Sequence, residues 1–262
     1  MATPLSAARF LAALRAEGVK VVEVGNWRTH NRNHVGRWGP VHGVMIHHTV
    51  TKGTAATVRI CRDGYSGLPG PLCHGVIAKD GTVHLVGYGR ANHAGSGDDD
   101  VLAAVIAERN LPADNEANTD GNARFYGFEC ENLGDGKDPW PAAQVDAIVR
   151  ASAALIRAHG WGKAGNTSVI GHSEWQPGKV DPRGPGIGMN DIRRRVAARL
   201  KSPPNRLLDT DGDAPARSYV VQPGDTLTEI AATHGTTAPD LARLNALTDP
   251  DHIEAGQILE LG

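Results

Sequence analysis

Apolar residues recur along this chain at two spacings, and the switches between them lay out its elements. Leu5, Phe10, Leu11 and Leu14 follow a 3.6-residue period, which predicts an amphipathic helix over 4–17. A stretch rich in Asn, Arg, His and Gly runs from 25 to 42 and reads as loop. Gly43-Val44-Met45-Ile46-His47 is apolar but too short for a helix, so it reads as a buried strand, with a helix over 54–62 after it. Two β-rich runs, 73–78 and 82–86, flank Lys79-Asp80-Gly81 and predict a hairpin. Helical spacing returns over 101–110. The run 126–132 reads as a strand on which Glu129 and Glu131 share a face opposite Phe128 and Cys130. The clearest helix spans 141–160, with Pro141 near its start and Gly160 at its stop. A short strand over 169–172 and a basic helix over 190–200 complete this part. Strands alternating with helices predict an α/β fold, a mixed β-sheet flanked by helices.

The pattern then breaks. From Lys201 to Arg217 there is no apolar period, only Pro, Asp, Asn and Arg among scattered residues, which reads as a linker. A second unit follows in βααβ order. Its parts are a strand at Tyr219-Val220-Val221, a turn at Gln222-Pro223-Gly224-Asp225, a helix capped by Asp225 or Thr226, a short helix with Leu241 and Leu244, and a closing strand over 257–261. The division expected is therefore 1–200, a linker over 201–217, and a small domain over 218–262.

Composition narrows the function less than the pattern does. With 40% hydrophobic and 21% charged residues the chain is ordinary for a globular protein. A formal net charge of -2 gives no basis for nucleic acid as a partner, and the four arginines of the last large helix read as a solvated face. The first twenty residues mix Leu, Ala, Arg and Glu without an uninterrupted apolar core, so neither a signal peptide nor a membrane anchor is expected there. Cys61, Cys73 and Cys130 are an odd set with no ligand spacing. They read as buried thiols, with a Cys61–Cys73 bridge as the open alternative.

The chemistry gathers in Gly171-His172-Ser173-Glu174-Trp175-Gln176-Pro177-Gly178-Lys179-Val180-Asp181-Pro182, where Pro and Gly forbid a continuous helix. Such a loop can fold His172 and Asp181 toward one point. Ile46-His47-His48-Thr49 ends a strand in two histidines and can supply a third ligand. Two His and one carboxylate suit Zn2+ with an open position for water. The alternative is three unrelated polar residues at element ends, but Lys179 in the same loop and Glu129 on another strand favour a site. His48 should point away from His47 if the strand continues.

These residues carry a resemblance. Ile46-His47-His48-Thr49, Gly127-Phe128-Glu129-Cys130-Glu131-Asn132 and the 171–182 segment, in this order over 40–190, look like type 2 N-acetylmuramoyl-L-alanine amidases, the zinc amidases related to peptidoglycan recognition proteins. Ala91-Asn92-His93-Ala94-Gly95 resembles a substrate-cleft segment of that family. The resemblance implies zinc held by His47, His172 and Asp181, and Lys179 stabilising an oxyanion. It also implies Glu129 as the general base that activates water and then protonates the leaving amine. Glu131 stays open as a second candidate base. His74 and His93 are candidates to line the cleft, or else are hydrogen-bonded polar side chains. Some relatives carry a Tyr near the start of the hairpin strand, where this chain has Leu72-Cys73-His74; the departure leans the chemistry on Glu129. The bond implied is the amide between N-acetylmuramic acid and L-alanine of the stem peptide.

The tail resembles a LysM module through Tyr219 to Leu227, Ile230-Ala231, Leu244-Asn245 and Gly256 to Leu259. That implies binding of peptidoglycan glycans near Gly224, Asp225 and Thr226, and a raised local concentration of substrate for the first domain. The joint expectation is a monomeric peptidoglycan hydrolase. It would be made in the cytoplasm without a signal peptide and act on the bacterial cell wall after release, as a phage endolysin does. The alternatives are a secreted autolysin of the same chemistry, a non-catalytic peptidoglycan receptor, and a zinc enzyme of this fold cutting other amides.

Overall fold

The structure is a computed structural model that describes residues 2–163, 167–204, 218–221, 224–234, 236–245, 247, 249, 252–254 and 256–261. Most of the expected linker, residues 205–217, and the Gln222-Pro223 half of the expected turn lie outside the described residues. The chain divides into two compact units, Met1–Leu207 and Leu208–Gly262.

The first unit is built on six strands, β1 (Val21–Glu23), β2 (Gly43–His48), β3 (Gly75–Ile77), β4 (Val83–Leu85), β5 (Phe125–Cys130) and β6 (Val169–Gly171), in the order β1-β4-β3-β5-β2-β6. Only the β3–β4 pair is antiparallel, as a hairpin must be; its turn is closed by Asp80, whose carboxylate accepts from the Thr82 amide at 2.8 Å and hydroxyl at 3.0 Å. The other neighbours run parallel, so β5, β2 and β6 end on the same edge. This is the mixed sheet the pattern predicts.

Five helices cover it: α1 (Ala7–Ala16), α2 (Thr54–Asp63), α3 (Asp99–Ile106), α4 (Ala142–His159) and α5 (Met189–Leu200). Ser6 caps α1 by accepting from the Arg9 amide, and Gly160 closes α4 in the left-handed conformation that a side chain disfavours. One face of the sheet packs Val44, Ile46, Tyr126, Phe128 and Val169 against Phe10 and Leu14 of α1, Ile148 of α4, and Ile192 and Val196 of α5. The other face packs Met45, Phe125 and Ile170 against Val101, Leu102 and Val105 of α3 and against Trp175. Two of the four α5 arginines, Arg193 and Arg199, differ from the solvated face expected of them, while Arg194 is exposed as expected. Arg199 and Arg157 clamp the buried Glu17 carboxylate at 2.7 Å each, and Arg193 pairs with Glu174 at 2.7 Å. Arg157 and Arg199 therefore tie α1, α4 and α5 together, and Arg193 ties α5 to the segment after β6.

Several boundaries moved. The 101–110 helix starts and stops earlier, at Asp99 and Ile106, and β5 ends at Cys130 before Glu131. The segment 21–23, unassigned by periodicity, is an edge strand whose partner residues in β4 lie 62 positions away in sequence (Val21 pairs with Val83). Cys61, Cys73 and Cys130 are free and buried, the favoured one of the two readings. No helix of the described residues is long and apolar enough to cross a membrane.

The second unit has the βααβ order: β7 (Ser218–Val220), α6 (Leu227–Thr233), α7 (Ala238–Leu244) and β8 (Ile258–Glu260), with β7 and β8 antiparallel. Val221, Leu227, Ile230, Leu241 and Leu259 form its core. Thr226 is the cap of α6, accepting from the Glu229 amide at 3.3 Å, which decides between the two capping candidates.

Candidate metal centre

Alternation along three parallel strands builds the site. On β2, Met45 and His47 share a face; on β5, Phe125, Gly127 and Glu129 do; Ile170 and His172, at the end of β6, continue the series. The N-terminal member of each set is apolar and joins the core with α3. The C-terminal members are ionisable and open into a cleft, because the register sets His47 beside Glu129 and Gly171 beside Ile46. Asp181 arrives on the loop after His172, anchored where the Ser173 amide donates to the Asp181 carbonyl at 2.8 Å.

The three expected ligands meet. His47 Nδ1 is 3.1 Å from His172 Nδ1 and 3.1 Å from Asp181 Oδ2, and the His172–Asp181 contact is 3.2 Å. Among the described residues this is the single group of three or more His, Cys, Asp or Glu side chains placed to hold a metal. Tetrahedral zinc with bonds near 2.0–2.1 Å separates its ligand atoms by about 3.3 Å. The donor set and its spacing therefore fit zinc. Burial pushes His47 down to about 4 and keeps it neutral, against the pull of Asp181. Burial would raise Asp181, but the His172 and His47 rings in contact with its carboxylate hold it well below the usual carboxylate range. His172 Nε2 lies 3.2 Å from Gln176 Oε1, an orienting partner the sequence reading missed; its clue was the four-residue spacing within one loop.

The cleft has a volume of about 290 Å³, and His47, Glu129, His172, Lys179 and Asp181 line it. Glu129 is the unusual member. Its Oε2 is buried without a hydrogen-bond partner, and burial, reinforced by Asp181 and opposed by Lys179, pushes it up to about 8. Lys179 is exposed at the rim. Glu131 is committed elsewhere: its two carboxylate oxygens accept from the Gly53 amide at 2.8 Å and the Thr54 hydroxyl at 2.7 Å, capping α2. A larger groove of about 860 Å³ lies between α3 and α5, lined by Glu108, Arg109, Arg193 and Arg194 among others, but it brings no metal-ligating cluster together.

Two cleft histidines fare differently. His74 corrects the expectation that it lines the cleft. It is fully buried, with Nδ1 accepting from the Gly127 amide and Nε2 facing the Gly89 carbonyl, both at 2.9 Å, so no ring atom is left for a substrate. His93 does border the cleft, with its ring nitrogens turned to His47 and to the Phe125 carbonyl. His48 also reaches the cleft, lying against Gly134 with Nδ1 buried and unpartnered. In the second unit Gly224 is exposed in a left-handed turn, Asp225 accepts from the Tyr219 hydroxyl at 2.7 Å, and Thr226 is held by its capping role.

Residues 37–184, which include every ligand candidate as well as Glu129 and Lys179, match the N-acetylmuramoyl-L-alanine amidase family, and residues 219–262 match the LysM domain. The chain is 32% identical over 173 residues to N-acetylmuramoyl-L-alanine amidase XlyB of Bacillus subtilis (strain 168), covering 64% of this chain and 52% of that one. It is 30% identical over 152 residues to XlyA of the same organism, covering 55% and 41%. The chain thus spans about half the length of the curated relatives it matches. An endolysin amidase, LysCS from Clostridium intestinale, aligns at 18% identity and a TM-score of 0.43, over 68% of this chain and 96% of that one.

Proposed function

The chain belongs to the N-acetylmuramoyl-L-alanine amidase family, and from that premise we propose that it cleaves peptidoglycan at the amide joining N-acetylmuramic acid to L-alanine. The observation that carries the reading is the meeting of His47, His172 and Asp181 beside a half-buried Glu129 whose Oε2 has no hydrogen-bond partner. His47 Nδ1, His172 Nδ1 and an Asp181 carboxylate oxygen would hold zinc, which when bound supplies Lewis-acid polarisation of the scissile carbonyl and of water. Glu129 takes the proton of the attacking water. Its raised pKa makes it a good base for that proton and a good acid for delivering it to the leaving alanine nitrogen. The Lys179 ammonium at the rim stabilises the oxyanion that develops on the carbonyl.

We assign residues 1–200 to catalysis, 201–217 to a linker and 218–262 to wall binding through the LysM segment around Gly224, Asp225 and Thr226. Tethering two peptidoglycan-directed units raises the effective concentration of substrate at the cleft. The protein would work as a monomer on the bacterial cell wall, an endolysin's task. The competing reading, a binding-only receptor, is disfavoured because the ligand set is complete and a base stands beside it.

Mass spectrometry of the products released from purified peptidoglycan tests the reading. Free stem peptides beginning at L-alanine, lost on chelation and restored by zinc, are expected. Wall binding without released peptide would support the receptor instead.

A further inference from the structure

His93 is placed with more care than a cleft-wall residue needs. Its own backbone amide and those of Ala94 and Gly95 all donate to one oxygen, Asn122 Oδ1, at 2.8, 2.8 and 3.3 Å. The ring lies over Gly127 of β5, where a Cβ would come within 2.4 Å of its Nδ1, so that close approach requires glycine. His93 Nε2 is 3.1 Å from the carbonyl oxygen of Phe125, and His93 Nδ1 is 3.1 Å from His47 Nε2.

Proton bookkeeping along this chain has one outcome. The Phe125 carbonyl only accepts, so His93 carries its proton on Nε2. A neutral imidazole has one ring proton, so His93 Nδ1 is a lone pair and must accept from His47 Nε2–H. His47 Nδ1 is then the bare nitrogen, and it is this atom that stands 3.1 Å from both His172 Nδ1 and Asp181 Oδ2. The tautomer of a ligating histidine is set by the partner of its other nitrogen.

We propose that His93, locked by Asn122 and seated on Gly127, is a positioning residue that fixes His47 in the tautomer whose Nδ1 lone pair faces the metal. This rests on the zinc reading above and adds a buried chain, Phe125 carbonyl to His93 to His47, that ends at the ion. His172 has the matching partner in Gln176, so each histidine ligand is oriented from outside the site. His93 thereby acts through His47.

The test compares His93→Leu with His93→Asn in the full chain, reading Zn2+ affinity by competition with a chromophoric chelator. His93→Leu keeps bulk but offers no acceptor; the Asn carbonyl can stand where Nδ1 stood. The expected result is a loss of about 10–100-fold in zinc affinity for His93→Leu, the range found for such partners, with most of it recovered in His93→Asn. Both variants lose the Nε2–H donor to Phe125, so the metal-free proteins should be destabilised alike, whereas a merely structural role would make their zinc affinities fall alike too. Wild-type affinity in His93→Leu would overturn the proposal, as would equal losses in the two variants. A wild-type protein that takes up no zinc would sink the metal reading itself, and the proposal with it. If His93→Leu does not fold, long-range 1H–15N spectra of the zinc-loaded wild type decide. Protonated Nε2 on both His47 and His93 is expected, and a proton on His47 Nδ1 would contradict it.

Discussion

The two faces of the strands β2, β5 and β6 have the same backbone and opposite characters. On one face Val44, Ile46, Tyr126, Phe128 and Val169 are apolar and closed over by α1, α4 and α5, with His48 at the end of β2 the polar exception. On the other, Met45, Phe125 and Ile170 are apolar, but the next residues along each strand on that face, His47, Gly127 then Glu129, and His172, give way to polar chemistry and a gap for the His93 ring. The difference is one of division of labour within a period of two. The closed face supplies the burial that stabilises the sheet, so the open face can carry an unpartnered carboxyl and converging ligands that cost stability. Function should therefore fail through one face and folding through the other.

The largest expected effect is on the open face. Glu129→Gln should lower stem-peptide release by about 100–10,000-fold, the share of a general base, with zinc affinity retained and a melting temperature no lower than wild type. A large fall in stability would show that the two faces are not separable. On the closed face, Phe128→Ala should cost about 3–5 kcal/mol in urea denaturation, with zinc affinity of the folded protein unchanged. Glu17→Ala belongs with it. Removing the carboxylate leaves Arg157 and Arg199 uncompensated over α1 and should cost about 3 kcal/mol.

Acid sharpens the comparison. His74 links β5 to the loop at Gly89 as a neutral ring, its pKa pushed by burial from 6.5 to about 4. Between those values the unfolded chain binds a proton that the folded chain refuses. Stability should fall as pH drops from 6.5 toward about 4, by up to about 1.4 kcal/mol per pH unit, and be unaffected by this group above 6.5. Urea titrations at several pH values should show a shallower slope in His74→Asn. The smallest effect is expected from Glu131→Gln, two residues from the base. Losing part of the α2 cap should cost about 1 kcal/mol, with peptide release within about twofold of wild type when the folded fraction is held equal.

The sequence made the ligands legible because they sit in short motifs whose ends are marked: an apolar run stopping at His47, and a Pro- and Gly-broken loop that cannot hide His172 and Asp181 in a helix. Strand alternation also put Glu129 on the right face. What it could not give was which polar neighbours answer each other across the sheet. Glu131 shares a parity with Glu129, yet β5 ends between them and α2 captures it. His74 and His93 look alike in sequence, but one is tied to two backbone groups and the other to His47. Asn122 works through a single side-chain oxygen that no periodicity reveals, and Gln176 through one signalled only by its four-residue spacing from His172. Edge strand β1 was missed for a related reason, since three residues paired with β4 carry too little pattern to be read without their partner.

The three-ligand site is tested most directly by the metal content of the purified full chain, measured by mass spectrometry of the element beside the same measurement on His172→Ala. One zinc per chain in the wild type, and less than about a tenth of that in a folded variant, is the result the three-ligand site predicts. Zinc retained in full by His172→Ala, or a wild type that releases stem peptides while holding none, would contradict it.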